Sequence, residues 1–213
     1  MLNREQPSSD GCFFYFFNIN IIMEKPNILL MFSGGLDSTG AFWKLLQEKE
    51  KIHVHHLYLV NKENRALAED RAVKDILDYM KKIGDFSYSE SYHEYPSYNG
   101  NFMWDSDMYN FIAGTMCLSI KSIKEVAIGR TKSDTGIDLR AERGTKILNA
   151  FNSNIKKIYP VGDMTKEEIY QMLPEDLRNI TWSCRRPIYD QEIRACNRCK
   201  TCMEMNKIKE CEK

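Results

Sequence analysis

The sequence lacks any apolar run of the roughly 18 residues that a membrane-spanning helix requires. It also lacks an excess of charge of either sign, because 30 Lys and Arg side chains balance 30 Asp and Glu side chains in 213 residues. A protein that binds nucleic acid over its whole surface is usually more basic. These absences argue against a membrane protein and against direct nucleic-acid binding, and they favour a small-molecule substrate.

The N-terminus lacks the features of a secretory leader. An aromatic cluster at 13–17 is preceded by a single basic residue, Arg4, and no small-residue cleavage site follows it. We therefore expect residues 1–22 to form a flexible extension, and we expect the folded chain to begin at Met23. With no leader, the expected location is the cytoplasm.

The cysteines do not fit a disulfide framework, because their number, seven, is odd and the chain is long. Four thiols in a short polar segment instead match the ligand set of tetrahedral zinc. An iron–sulfur cluster also suits a close CxxCxxC run, and a redox-active CxxC pair is a further option. We predict a zinc-binding segment at 181–213 with four ligands: Cys184, Cys196, Cys199 and Cys202.

Internal repeats and low-complexity linkers are absent as well, and short apolar runs alternate with longer amphipathic stretches. The short runs predict strands at 27–32, 53–60, 125–128 and 156–159, with a weaker one near Phe86. The longer stretches predict helices at 38–49, 66–83 and 108–123. This alternation indicates an open, mainly parallel α/β sheet flanked by helices, with one nucleotide-binding domain over 23–180. Ligands of such sheets bind at the carboxyl ends of the strands.

A glycine-containing loop follows the first predicted strand and opens a helix. Its glycines allow the backbone to approach an anion closely, and a helix N-terminus adds favourable partial charge for phosphate. An aspartate in such a site suits a phosphate that is accompanied by Mg²⁺. The loop has neither the GxxxxGK[ST] spacing nor the GxGxxG spacing. A tight turn capped by serines is the structural alternative to a phosphate site formed by Ser33, Gly34, Gly35, Leu36, Asp37 and Ser38.

The Ser-Gly-Gly-x-Asp-Ser string resembles the signature of PP-loop ATP pyrophosphatases, which have an adenine nucleotide α-hydrolase-like fold. The combination of this string with the C-terminal cysteines is similar to the pattern of the 7-cyano-7-deazaguanine synthase family. The resemblance implies ATP, Mg²⁺ and Zn²⁺ as cofactors, with ATP held by the loop at 33–38. It also implies a ligase that converts 7-carboxy-7-deazaguanine and ammonia into 7-cyano-7-deazaguanine through adenylated intermediates, releasing AMP and pyrophosphate.

Shorter matches to the same family imply catalytic or substrate-binding roles for Asp134, Asp138, Arg140 and Lys166. The chain departs from the family pattern at 104–110 and 185–187, which leaves the substrate open. Two alternatives remain, a PP-loop tRNA thiolase and a repurposed, non-catalytic nucleotide-binding module. The oligomeric state is also open, with a homodimer as one option.

Several other side chains have less specific interpretations. Trp104, Tyr109 and Trp182 could stack on a flat heterocycle, although aromatic residues more often pack in the core. His53 and His55 share one face of the second predicted strand. These two histidines would need another ligand to bind a metal, so packing or surface exposure is the favoured interpretation.

Overall fold

In the computed structural model, five strands form one sheet in the order β3-β2-β1-β4-β5, and every neighbouring pair is parallel. The structure describes residues 25–95, 104–134, 138–151 and 154–210, so the predicted extension at 1–22 lies outside the described residues. The predicted open parallel sheet is confirmed. Its strands are β1 (Ile28–Phe32), β2 (Ile52–Val60), β3 (Ser87–Glu94), β4 (Glu125–Ile128) and β5 (Lys156–Ile158).

Helices cover both faces of this sheet. They are α1 (Leu36–Gln47), α2 (Ala66–Met80), α3 (Asp105–Ser119), α4 (Asp138–Phe151), α5 (Lys166–Met172), α6 (Glu175–Asn179) and α7 (Lys200–Glu210). All five residues of β1 are buried, as expected for a central strand that is covered on both sides. Leu30 and Phe32 pack with α1, α2 and α5, whereas Leu29 and Met31 pack with α3 and α4. No helix among the described residues has both the length and the apolar character of a membrane span.

The direction of strand addition reverses between β1 and β4. From β1 the chain adds β2 and β3 on one side, and it then crosses to add β4 and β5 on the other side. Gly129, immediately after β4, lets the backbone there approach α1 closely. A Cβ atom at Gly129 would lie 2.5 Å from the backbone nitrogen of Ser38. The carboxyl ends of β1 and β4 therefore meet at a switch point, where open α/β sheets bind ligands.

The structure corrects several predicted elements. The helix predicted at 108–123 begins at Asp105 and ends at Ser119, and the weak strand near Phe86 is the eight-residue edge strand β3. Helix α4 was not among the predicted helices, and Gly144 weakens the helical pattern of its sequence. That glycine lets α4 approach α3, since a Cβ atom there would lie 2.6 Å from Nδ2 of Asn110.

Serines of the edge strand β3 provide hydrogen-bond partners for the two histidines of β2. The ring nitrogens of His53 lie 2.7 Å from the hydroxyl oxygens of Ser87 and Ser89. Those of His55 lie 2.7 Å and 2.9 Å from the hydroxyl oxygens of Ser89 and Ser91. Burial lowers the pKa of His53 to about 4 and that of His55 to about 3. Both rings are therefore packed and uncharged at neutral pH.

These lowered pKa values predict a loss of stability in acid. The unfolded chain takes up protons below its ordinary histidine pKa of about 6.5, whereas the folded chain resists protonation until about pH 3 at His55. Folding is therefore weakened progressively as the pH falls from 6.5. His55→Gln keeps hydrogen-bonding groups for both serines but does not titrate, so between pH 7 and pH 4.5 it should lose less stability than the wild type, by about 2 kcal/mol.

Urea unfolding at the two pH values measures this difference. His93→Gln is the matched control, because His93 is only half-buried on β3 and should account for a smaller part of the acid loss. An equal acid loss in the wild type and in His55→Gln would show that His55 is not held neutral by the fold.

Candidate functional site

The loop between β1 and α1 directs several hydrogen-bond donors to one place. The hydroxyl oxygens of Ser33 and Ser38 lie 3.1 Å apart, and the Ser38 hydroxyl donates to the Gly35 carbonyl at 3.0 Å. The first hydrogen bond of α1 runs from the Thr39 amide to the Gly35 carbonyl, at 2.9 Å. The preceding amides of the first turn therefore point out of the helix N-terminus, as in sites that bind anions.

The two glycines of the loop have different roles. Gly34 has a φ of +73°, and a Cβ atom there would lie 3.0 Å from Cγ2 of Val73 in α2. Its carbonyl accepts a hydrogen bond from the Trp182 amide at 2.9 Å. Gly34 thus joins the loop to α2 and to the C-terminal segment, while Gly35 lines the crevice beside the helix N-terminus.

A crevice of about 160 Å³ opens over this loop. Small-molecule sites usually measure at least about 300 Å³, so the crevice could enclose only part of a small-molecule ligand. The C-terminal segment contributes Trp182, Ser183, Arg185, Thr201 and Met205 to its wall. The other lining residues are Ser33, Gly35, Leu36, Asp37, Ser38, Arg65, Glu69, Gly129 and Lys166.

Asp37 carries the least satisfied carboxylate of the crevice. Its Oδ1 atom is buried and has no hydrogen-bond partner among the described residues. Burial raises the pKa of Asp37 to about 6; the positive charge of Lys166 opposes this shift, while Asp134 and Glu204 add to it. A buried carboxylate oxygen without a donor is a suitable ligand for a hard cation such as Mg²⁺.

Lys166 supplies a positive charge beside Asp37. It starts α5, whose N-terminus is closed by a capping box between Thr165 and Glu168. The Lys166 ammonium lies 2.8 Å from Oε2 of Glu204 in α7. Burial lowers the pKa of Lys166, but the contact with Glu204 and the charge of Asp37 outweigh it, so the pKa is above its ordinary value. The side chain therefore stays charged at neutral pH.

The four predicted metal ligands come together in the C-terminal segment. The sulfur atoms of Cys184, Cys196, Cys199 and Cys202 all lie within 4.8 Å of one another. Tetrahedral zinc with bonds of about 2.3 Å would place sulfur atoms about 3.8 Å apart, which is compatible with this arrangement. The amide of Cys196 donates to the Cys184 sulfur at 3.3 Å, and the amide of Cys199 donates to the Cys196 sulfur at 3.3 Å. Such donors stabilise thiolates, so the cluster could hold a metal such as zinc.

The predicted substrate residues lie in different surroundings. Asp134 folds back on its own turn, accepting hydrogen bonds from the Thr131 amide and hydroxyl at 3.0 Å. Asp138 and Arg140 belong to the first turn of α4, but their side chains lie outside the described part of the structure. Of the two whose side chains are described, Asp134 and Lys166, it is Lys166 that lines the crevice.

Among the three aromatic candidates, Trp182 reaches the crevice. Its indole nitrogen donates to the carbonyl of Cys184 at 2.9 Å, which ties the ring to the cysteine cluster. Trp104 instead makes a cation–π contact with Arg143, whose guanidinium lies 4.2 Å from the centroid of the ring. Burial raises the pKa of the Tyr109 hydroxyl. Of the three, Trp182 therefore lies nearest the loop, with its side chain packed against the core and the cysteine cluster.

A buried charged network on one side of the crevice was not predicted. Arg65, just before α2, donates to Oε1 of Glu69 at 2.7 Å and also pairs with Asp105 at the start of α3. Burial raises the pKa of Glu69 to about 7, against the effect of Arg65. Arg185 joins the network through Glu63, at 2.8 Å. These residues come from three separated stretches of sequence. The local signal that could have pointed to the network is Glu69, a charged residue on the buried face of α2.

Comparison with known proteins does not assign the chain to a family. No protein-family model matches it, and no curated protein matches it at a significant level. Since a fold alone does not define a function, the function is inferred from the crevice and the cysteine cluster.

Proposed function

We propose that this chain is an ATP-dependent ligase of the PP-loop type, which transfers AMP to a substrate oxygen and releases pyrophosphate. The observation that carries the proposal is the position of the 33–38 loop. It lies at the carboxyl end of β1, against Gly129 at the carboxyl end of β4, where the strand order reverses. Phosphate groups of nucleotides bind at such switch points in other open α/β sheets.

The charged and polar groups around the phosphate loop have distinct roles in this reaction. The first-turn amides of α1 and the hydroxyls of Ser33 and Ser38 donate hydrogen bonds to phosphate oxygens. Lys166 offsets the negative charge that develops as pyrophosphate leaves. Mg²⁺, held by Asp37 and the phosphates, would supply further positive charge to the leaving group. The substrate oxygen attacks the α phosphorus while the bond from that phosphorus to the bridging oxygen breaks, so positioning provides most of the catalysis.

The proposed substrate follows from the family resemblance. Adenylation turns the carboxylate of 7-carboxy-7-deazaguanine into an acyl adenylate, from which ammonia displaces AMP to give the amide. A second adenylation, on the amide oxygen, permits elimination to the nitrile of 7-cyano-7-deazaguanine. Trp182 is the aromatic residue of the proposed substrate site, because it lines the crevice and a flat heterocycle stacks well on an aromatic ring.

The cysteine cluster has a structural role in the proposal. Four thiolates complete the coordination of zinc and leave no position for a substrate or an activated water molecule. The cluster lies between two stretches that line the crevice, one containing Trp182 and Arg185 and the other containing Thr201 and Met205. A bound zinc ion would therefore hold this wall of the crevice against the phosphate loop.

Mass spectrometry of the products tests the proposed substrate directly. After incubation with ATP, ammonia and 7-carboxy-7-deazaguanine, the amide and then the nitrile should accumulate, together with AMP. If the acid is unchanged but another carboxylate is adenylated, the ATP chemistry stands and the substrate does not. Sulfur transfer to tRNA would favour the thiolase, and ATP binding without turnover would favour the non-catalytic module.

A further inference from the structure

Helix α7 connects the cysteine cluster to the phosphate site. It carries Cys202, and Thr201 and Met205 on the same helix line the crevice. Glu204, two residues after Cys202, lies 2.8 Å from the Lys166 ammonium, and both side chains are largely shielded from solvent, with exposures of 35% and 23%. The other neighbouring cation, Lys200, is 3.9 Å away and 87% exposed. Glu204 therefore interacts chiefly with the lysine of the crevice.

The segment before the first cysteine contacts the loop from the other side. The amide of Trp182 donates to the Gly34 carbonyl at 2.9 Å. A Cβ atom on Gly35 would lie 3.4 Å from the Trp182 carbonyl oxygen, so the two backbones are in van der Waals contact. Residues close to Cys184 and Cys202 thus contact the 33–38 loop and Lys166, respectively.

We propose that Glu204 is a positioning residue that holds the Lys166 ammonium over the phosphate site, with the cysteine cluster fixing the helix on which Glu204 lies. This inference rests on the proposed function, because it assumes that Lys166 contacts pyrophosphate. A lysine side chain has about 2 kcal/mol of rotamer entropy, so a fixed ammonium needs a partner.

Loss of Glu204 would also change the partner of Lys166. Asp37 and Asp134 are the other carboxylates whose charges act on Lys166. Without Glu204, the ammonium would turn toward Asp37 and compete with Mg²⁺ for its carboxylate. Glu204 thus keeps the cation and the metal-binding carboxylate apart, so that both can face the phosphates.

The variant Glu204→Gln distinguishes a positioning role of Glu204 from a simple effect of its negative charge. Removing a negative charge near an anion site should strengthen anion binding if Glu204 acts only through its charge. The positioning role predicts the opposite result, an affinity for magnesium pyrophosphate that is about fivefold weaker by isothermal titration calorimetry. It also predicts a higher Mg²⁺ concentration at half-saturation and a lowered kcat, because Lys166 offsets charge that develops as pyrophosphate leaves. Glu210→Gln, the same substitution at an exposed position of α7, should leave binding unchanged.

A second measurement does not depend on any ligand. Acetylation of the Lys166 amine, followed by peptide mass spectrometry, should be several-fold faster in Glu204→Gln, because Asp37 alone raises the pKa of this amine less than Asp37 and Glu204 together. If the wild type binds no magnesium pyrophosphate, the proposed function is wrong, and the acetylation rate still tests the contact. If the wild type binds it and Glu204→Gln binds equally well or more tightly, Glu204 does not position the lysine.

Discussion

Asp37→Asn should reduce AMP-forming turnover by at least about a thousandfold, as expected when a group that holds charge in the transition state is lost. The same change should not lower the melting temperature of the protein without ligands. Burial raises the pKa of Asp37 to about 6, so at pH 7 the fold pays to keep this carboxylate charged, and a neutral amide removes that cost. Loss of activity with unchanged or increased stability is typical of a residue that is kept for function.

Thermal melts with and without MgATP complete the test of Asp37. The wild type should be stabilised by MgATP through mass action, whereas Asp37→Asn should show little shift. Asp75→Asn, on the exposed side of α2, is the matched control and should behave like the wild type in both assays. Normal turnover in Asp37→Asn would show that Asp37 does not bind a metal ion needed for the reaction. A large drop in the melting temperature without ligands would show that Asp37 is needed for folding instead.

Under the proposal that the cysteine cluster binds zinc, Cys184→Ser should abolish metal binding and lower the free energy of unfolding by about 3 kcal/mol or more. Structural zinc contributes its binding energy to folding, and serine keeps the size of the side chain but does not provide a thiolate. Turnover should fall as well, since Trp182 and α7 would lose their common anchor. Elemental analysis and urea unfolding measure the two effects.

Cys117→Ala provides the control for this prediction. Cys117 is buried in α3 and lies outside the cysteine cluster, so its loss should affect packing without changing the metal content. Zinc at one ion per chain in the wild type and in Cys117→Ala, but not in Cys184→Ser, is the expected pattern. Iron in the purified protein, or no metal at all, would contradict the assignment of zinc.

The sequence predicted those features that depend on neighbouring residues. β1 is a continuous apolar run, and the loop after it combines glycines with serines and an aspartate, so both were visible without the fold. The spacing from Cys196 to Cys202 also predicted a cluster, which the structure brings together with Cys184. Local patterns of this kind are enough for strands, tight turns and close-spaced ligands.

Features that depend on distant contacts could not be predicted. Periodicity does not determine strand order, and the meeting of Gly129 with Ser38 follows only from the order of β1 and β4. The pairing of Arg65 with Asp105 likewise joins residues that are far apart in sequence. Helix α7 was not predicted, because polar residues dominate it and only Cys202, Met205 and Ile208 pack inward. These contacts form one wall of the crevice, so the loop was predicted and its surroundings were not.

The products formed from ATP test the central claim most directly. Incubation with ATP, Mg²⁺, ammonia and 7-carboxy-7-deazaguanine, followed by phosphorus NMR, distinguishes cleavage after the α phosphate from cleavage after the β phosphate. We expect AMP and pyrophosphate in equal amounts, from the wild type but not from Asp37→Asn. Formation of ADP and inorganic phosphate by the wild type would contradict the proposal that the 33–38 loop is a PP-loop.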